Sequence, residues 1–131
     1  MNLDNLYKIF TEKNLSVSID TRTIEAGDIF FAIKGDNFDG NTFAIEALEK
    51  GASFVVSENR DMPMDDRCLL VDDSLKALQE FASIHREHLD IPIVAITGSN
   101  GKTTTKELTR VVLEKKYKVC ASPASFNNHI G

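Results

Sequence analysis

The sequence predicts an α/β fold, with one small domain complete and a second one begun. Three observations carry this. Short apolar runs alternate with stretches of helical periodicity from end to end. The runs DIFFAI (28–33) and IVAIT (93–97) are almost continuously apolar, the pattern of strands covered on both faces. At LDIP, near residues 90–92, one series of elements ends and a new strand–loop–helix–strand unit opens. The predicted division is therefore 1–90 and 91–131. A single βαβ unit buries too little apolar surface to stand alone, so the second part is expected to be the truncated start of a larger domain.

The elements follow in order. Leu3, Leu6, Ile9 and Phe10 in LDNLYKIFTEK fall at helical spacing. LSVSID is a short alternating strand, and DIFFAI follows the Ala26–Gly27 turn. GDNFDG (35–40) is a glycine-bounded loop. Asn41 then stands where it could cap a helix carrying Phe43, Ala44, Ala47 and Leu48, with Gly51 just past its end. ASFVVS and CLLVDD are strands joined by the polar, turn-like ENRDMPMDDR. Asp73 or Ser74 caps SLKALQEFASIHREHL, whose Leu75, Leu78, Phe81, Ala82, His85 and Leu89 share a stripe, and Pro92 stops any helix. IVAIT, a helix over KTTTKELTRVVLEKK and a strand YKVCAS complete the series.

Composition narrows the class. The chain is 42% hydrophobic and 27% charged, as globular proteins are, and no apolar run approaches the ~20 residues that span a bilayer. MNLDNLYKIF lacks a basic region followed by an apolar one, so it is not a secretory signal, and the expected compartment is cytoplasmic. Cys68 and Cys120 have no metal-ligand spacing and sit in apolar runs, where buried structural thiols are expected. The net charge of −5 hides an asymmetry. Residues 1–97 carry 9 Lys/Arg against 18 Asp/Glu, whereas residues 98–131 carry 6 against 2. The acidic body argues against general nucleic-acid binding. The basic segment suits an anionic ligand, or is a solvated helix face with Lys106, Arg110, Lys115 and Lys116 in water.

That basic segment opens on AITGSNGKTTTKE (95–107), where an apolar strand runs into a glycine loop and then a helix. This is the arrangement phosphate binding requires, because first-turn N–H groups have no intrahelical acceptor and the helix dipole is positive there. Gly98 and Gly101 let the backbone approach phosphates closely. Ser99, Asn100 and Thr104 complete the loop, Lys102 would reach the β/γ oxygens, and the Thr103 hydroxyl stands where a Mg²⁺ ligand would be. The usual spacing puts a further glycine five residues before Gly101; here that position is Ile96.

The short form TGSNGKTT resembles the ATP loop of the Mur ligases and of the related folylpolyglutamate synthetases, and the helix start TTTKE is similar to that of the D-alanyl-D-alanine-adding Mur ligases. A second stretch agrees independently. IDTRTIEAGDIFFAIKGDNFDGNTFAIEALEKGA (19–52) resembles the first domain of the Mur ligases that extend a peptide already begun, which binds the UDP end of UDP-N-acetylmuramoyl-peptide. Carried over residue by residue, the resemblance implies UDP-substrate contacts at Thr21, Arg22, Lys34, Gly40, Asn41 and Thr42. The residues make chemical sense in that role. A hydroxyl and a guanidinium at Thr21-Arg22 suit uracil or pyrophosphate oxygens, although Asp20 and Arg22 could equally form a local ion pair. A helix start at Asn41 would be an anion site, or the asparagine could simply cap it. Phe30, Phe31, Phe38 and Phe43 are expected in the core rather than stacked on a base. His85 and His88 are expected at an edge or surface. The ending SFNNHIG matches an N-N-x-x-G segment beside the family's ATP loop, which places Asn127 and Asn128 on the substrate-peptide side.

The resemblance implies an ATP- and Mg²⁺-dependent amide ligase of peptidoglycan precursor synthesis, monomeric when full-length. In that family ATP phosphorylates the terminal carboxylate of UDP-N-acetylmuramoyl-tripeptide, and the amine of D-alanyl-D-alanine attacks the acyl phosphate. Lys102 is the residue here with a catalytic role, neutralising developing charge. Past Gly101 the only acids are Glu107 and Glu114, and the family's carbamylated lysine, adenine-binding residues and C-terminal domain have no counterpart. The chain is expected to be the front of a longer ligase, inactive alone. Three other readings stand beside this one: a Mur ligase that adds the third residue of the stem peptide, a non-catalytic UDP-sugar-binding module, and an unrelated P-loop kinase or NTPase.

Overall fold

The structure is a computed structural model that describes residues 1–35, 38–62 and 65–123. The chain divides into two compact units, Met1–Leu89 and Asp90–Gly131. In the first, helix α1 (Leu3–Lys13) leads to β1 (Val17–Ser18), β2 (Ile29–Phe31), and a small hairpin of β3 (Lys34–Gly35) and β4 (Phe38–Asp39). A 3-10 turn (Gly40–Phe43) runs into α2 (Ala44–Glu49), followed by β5 (Phe54–Ser57), β6 (Cys68–Leu70) and α3 (Ser74–His88). The main sheet is all parallel, in the order β1-β2-β5-β6.

Each strand of this sheet is only two to four residues long, so it holds because both of its faces are covered. Strand side chains alternate between faces. Ile29, Phe31, Val56 and Leu69 face one way and pack with Leu6 and Tyr7 of α1 and Ala77 and Phe81 of α3. Phe30 and Val55 face the other way and pack with Ala44 and Ala47 of α2 and with Ala52. The small alanine side chains let α2 lie close to the sheet. The first face is aromatic: Phe81 meets Tyr7, Phe10 and Phe31 at centroid distances of 5.7, 5.2 and 5.6 Å, two of the three edge-on, the geometry aromatic quadrupoles favour.

Local chemistry sets the element ends. The Asn2 side chain accepts from the Asn5 N–H to start α1, and the Asp73 side chain accepts from the Lys76 N–H to start α3. The helix before β5 starts differently from the expectation. Asn41 does not cap it. The Asp39 carboxylate accepts from the Asn41 N–H and caps a 3-10 turn, and α2 follows only at Ala44. At GDNFDG, where the sequence predicts a loop, Lys34–Gly35 and Phe38–Asp39 pair as the β3–β4 hairpin.

In the second unit, α4 (Lys102–Leu113) follows the glycine loop and ends before the predicted Lys116. Residues 93–97 and 117–121, predicted as strands, carry no strand. A strand exists only through its neighbours' hydrogen bonds, and among the described residues neither segment has a ladder partner. Cys120, in the second of these segments, is therefore exposed rather than buried. Cys68 is only half-buried, because β6 is the last strand of the sheet. Phe38 also departs from its expected core place: it is half-exposed, stacked on Phe43 at 5.2 Å. Among the described residues no helix is long and apolar enough to cross a membrane.

Phe81→Ala removes a ring shared by α1, α3 and β2. Chemical denaturation should show a loss of about 3–5 kcal/mol, as truncation of a buried phenylalanine typically gives. A loss under about 1 kcal/mol would mean that α3 is not part of the cooperative core.

Candidate functional site

Three of the residues singled out from the sequence, Lys34, Asn41 and Thr42, line one open cleft of about 290 Å³, together with Asp39, Glu58 and Asn59. The fold explains the convergence. The β3–β4 hairpin puts Lys34 directly opposite Asp39. The 3-10 turn then carries Asn41 and Thr42, while Glu58 and Asn59 follow the C-terminal end of β5. Ligands of open parallel sheets bind outside the carboxyl ends of the strands.

The turn is fixed by a close approach. The Gly40 N–H donates to the Ile33 carbonyl at 2.9 Å. A Cβ on Gly40 would lie 2.6 Å from that carbonyl oxygen and 2.8 Å from the Ile33 nitrogen, closer than any side chain tolerates. Gly40 is therefore needed for shape.

Asn41 is held at both ends of its side chain. Its Nδ2 donates to Asp39 Oδ1 at 2.8 Å, and its Oδ1 accepts from Ser57 Oγ at 2.7 Å and from the Glu58 N–H at 2.9 Å. Thr42 Oγ1 donates to the Asp39 carbonyl at 2.8 Å. Glu58 Oε1 accepts from the Ser74 N–H at 2.7 Å, tying the cleft to the start of α3. The Asn41 side chain and backbone hold the Asp39 carboxyl below the usual carboxylate range, with Lys34 adding a smaller pull in the same direction. The anion site expected at this turn is thus already filled by the chain's own carboxylate, and the cleft carries two carboxylates against one lysine.

Thr21 and Arg22 are not among the cleft-lining residues. Thr21 is buried, and its carbonyl accepts from Lys50 Nζ at 3.0 Å. Arg22 forms the local ion pair with Asp20. Its Nη2 lies 2.5 Å from Oδ2, its Nε 2.9 Å from Oδ1, and its backbone N–H also donates to Oδ1. These bonds lower the Asp20 pKa to about 2. The Arg22 side chain is otherwise 85% exposed.

In the second unit, Gly101 sits at the N-cap of α4 with φ 75°, a left-handed conformation that glycine adopts without strain. Nothing lies within 4 Å of where its Cβ would be, so the mouth of the loop is open. The Lys102 ammonium folds back over the loop and donates to the Gly98 carbonyl at 2.6 Å. These residues fit a polyphosphate: an uncapped helix N-terminus, an open glycine loop and a lysine within reach. They fit Mg²⁺ less completely. Among the described residues no group of three or more His, Cys, Asp or Glu could hold a metal, and Glu107 and Glu114 are both paired with Arg110. Thr103, in the first turn of α4, is the loop's candidate ligand. Asn127 and Asn128 lie outside the described residues.

Comparison with known proteins shows the family. The family model "Mur ligase family, catalytic domain" matches residues 15–86, and "Mur ligase middle domain" matches residues 96–131. The chain belongs to the Mur ligase family. Within that family it is 40% identical over 117 residues to the UDP-N-acetylmuramoyl-tripeptide–D-alanyl-D-alanine ligase of Bacillus subtilis, an alignment covering 88% of this chain and 26% of the relative. It is 34% identical over 130 residues to the UDP-N-acetylmuramoyl-L-alanyl-D-glutamate–2,6-diaminopimelate ligase of Rickettsia prowazekii, covering 99% and 26%. Among solved structures it resembles the MurF ligase of Thermotoga maritima in complex with ADP, with TM-score 0.76 and 36% identity over 86% of this chain and 26% of that one. The chain spans about a quarter of the length of the curated relatives it matches.

Glu58 and Asn59 escaped the sequence reading. Only their place just past the end of a parallel strand could have flagged them.

The Asp20–Arg22 pair has a titration signature. A carboxyl with a depressed folded-state pKa adds stability that is present above its unfolded value and lost as pH falls through about 2. Carbon-detected NMR of the Asp20 carboxyl should give a midpoint near 2, and Arg22→Ala should raise it toward the ordinary aspartate value of 3.8. An unchanged midpoint in the variant would show that Arg22 is not the cause.

Proposed function

We propose that this chain forms the UDP-sugar-binding unit and the opening of the ATP-binding unit of an amide ligase. The ligase adds D-alanyl-D-alanine to UDP-N-acetylmuramoyl-tripeptide, in the cytoplasm, during peptidoglycan precursor synthesis. One observation carries this reading: Lys34, Asn41 and Thr42, picked from a family-like motif, line a single cleft at the carboxyl end of the parallel sheet. The names of the most similar relatives support the reaction, and the ADP complex of a similar structure supports the nucleotide.

The two units divide the work. In the first, Lys34 and Thr42 hold the UDP end of the substrate, Gly40 fixes the turn, and Thr21 and Arg22, outside the cleft lining, offer further contacts to it. In the second, the N–H groups of residues 98–104 and the Lys102 ammonium would hold the β- and γ-phosphates of ATP, and Thr103 would hold Mg²⁺. Bringing a phosphate and a carboxylate together sets two anions against each other, and Lys102 lowers that repulsion as charge develops on the transferred group. Asn127 and Asn128 belong to the peptide side. The chain spans about a quarter of its relatives' length, and the role proposed for these 131 residues is binding, not ligation. The similarity to diaminopimelate ligases keeps one second reading open, a ligase that adds the third residue. The amine consumed in the ligation decides between them.

Calorimetric titration of the 131-residue chain with UDP-N-acetylmuramoyl-tripeptide should show saturable binding. Lys34→Ala should weaken it at least about tenfold, since a charge-assisted hydrogen bond contributes about 1.5–3 kcal/mol. No amide should form with Mg-ATP and D-alanyl-D-alanine present. A folded chain that ignores the UDP-sugar, or that ligates unaided, would overturn this reading.

A further inference from the structure

The six cleft residues sit on two separate pieces of chain. Lys34, Asp39, Asn41 and Thr42 belong to the hairpin and 3-10 turn, while Glu58 and Asn59 follow β5. One side chain joins the two pieces. Toward the hairpin, Asn41 Nδ2 donates to Asp39 Oδ1 at 2.8 Å. Toward the strand end, its Oδ1 accepts from Ser57 Oγ at 2.7 Å and from the Glu58 N–H at 2.9 Å. Ser57 is itself 1% exposed, and its Oγ accepts from the Asn59 N–H at 3.1 Å. The chain of bonds runs on from Glu58 Oε1 to the Ser74 N–H at 2.7 Å.

An amide has two acceptor sites and two donor hydrogens. Both acceptor sites of Asn41 and one of its donors are used within the protein, which leaves little to offer a ligand. We propose that Asn41 is a positioning residue: it fixes the spacing of the two cleft walls, and with them Asp39 and Glu58, without itself holding the UDP-sugar. The proposal rests on the reading of this cleft as the UDP-sugar site. It changes what Asn41 does there, from a ligand contact to a support for the ligand contacts.

The chemistry makes this testable through polarity. Asn41→Asp keeps the acceptor that Ser57 and Glu58 use, but places a second carboxylate against Asp39. The groups facing that position are Asp39, Glu58 and Lys34, so at neutral pH one lysine stands against three carboxylates. The walls should part, or the new pair should share a proton. Adding Asp39→Asn reverses the bond rather than deleting it. The amide then sits at position 39 and donates to the carboxylate at position 41. Its oxygen can still accept the backbone N–H of residue 41. A support role survives this swap, whereas a ligand contact through the amide of residue 41 does not.

Calorimetry with UDP-N-acetylmuramoyl-tripeptide at about pH 7.5 should give at least a roughly tenfold weaker dissociation constant for Asn41→Asp, the scale of one lost charge-balanced contact. Most of the loss should be recovered in the Asp39→Asn/Asn41→Asp double variant. Lowering the pH toward about 5, where a raised carboxyl pair takes up a proton, should also strengthen binding to the single variant and leave the wild type nearly unchanged. If the double variant folds, as judged by circular dichroism, and binds no better than the single one, Asn41 touches the ligand and the proposal fails. Wild-type affinity in Asn41→Asp overturns it too. The wild-type chain supplies a check that needs no variant to fold. On saturation, the Asn41 side-chain NH₂ resonances should move less than the backbone amides of Lys34 and Thr42, and a larger movement contradicts the proposal. If the wild type binds no UDP-sugar while folded, the reading of the cleft falls, and this inference with it.

Discussion

The contact on which the cleft depends is a backbone one, the approach of Gly40 to Ile33. The chain leaves β2 through Ala32 and Ile33, makes the β3–β4 hairpin, and comes back against its own backbone at Gly40, where an N–H donates to the Ile33 carbonyl at 2.9 Å. There is no room there for a methyl group. That closure decides where Asp39, Asn41 and Thr42 emerge, and it starts the 3-10 turn that delivers α2 to the sheet. α2 in turn covers Phe30 and Val55 through Ala44 and Ala47. One steric constraint therefore links the second core face to the cleft. A side chain at position 40 would disturb both at once.

Above that closure the site is a polar network. Buried polar groups contribute to order when every partner is present and cost stability when one is missing. Here Asn41, Ser57 and Glu58 are joined by consecutive bonds. The one buried side-chain atom left without a partner among the described residues is Ser74 Oγ, at the start of α3. The exposed ion pairs are a different matter. Arg60–Asp72 and Lys76–Asp73 stand largely in water, where such pairs contribute about 0–1 kcal/mol. They do not determine the architecture; the two apolar faces and the network at the strand ends do.

This division explains what the sequence made legible. Helices α1 and α3 carry long 3.6-residue patterns with an Asn or Asp cap, and both were readable to within a residue or two. The parallel sheet followed from the alternation of elements, and the continuous run around Ile29–Phe31 marked its centre. Short-range geometry was less legible. In DGN, either Asp39 or Asn41 could cap, and only the three-dimensional path shows Asp39 accepting the N–H while Asn41 reaches across to β5. Glu58 and Asn59 lie 17 and 18 residues beyond Asn41, and no spacing rule connects them to it. The segment IVAIT shows the opposite limit. Its pattern suits a strand, but strand formation belongs to a pair of segments, and periodicity in one segment cannot supply the other.

The two anion-facing regions then differ in a way that bears on function. At the glycine loop, the Lys102 ammonium is held by the Gly98 carbonyl at 2.6 Å and more loosely by Ser99 at 3.4 Å. A phosphate must displace those bonds. A neutral carbonyl acceptor is worth less to an ammonium than a phosphate oxygen, because bonds between charged partners are stronger. The exchange is therefore downhill, and the lysine is already near the loop it serves. At the cleft, by contrast, the local anion is Asp39, fixed by Asn41 and opposite Lys34. A second anion there would meet two carboxylates. The cleft is better matched to a ligand that also offers hydroxyl or N–H donors. The glycine loop has no such carboxylate and suits a bare polyphosphate. That contrast follows from local geometry within each unit, and under the proposed function it would let the two units take different nucleotides.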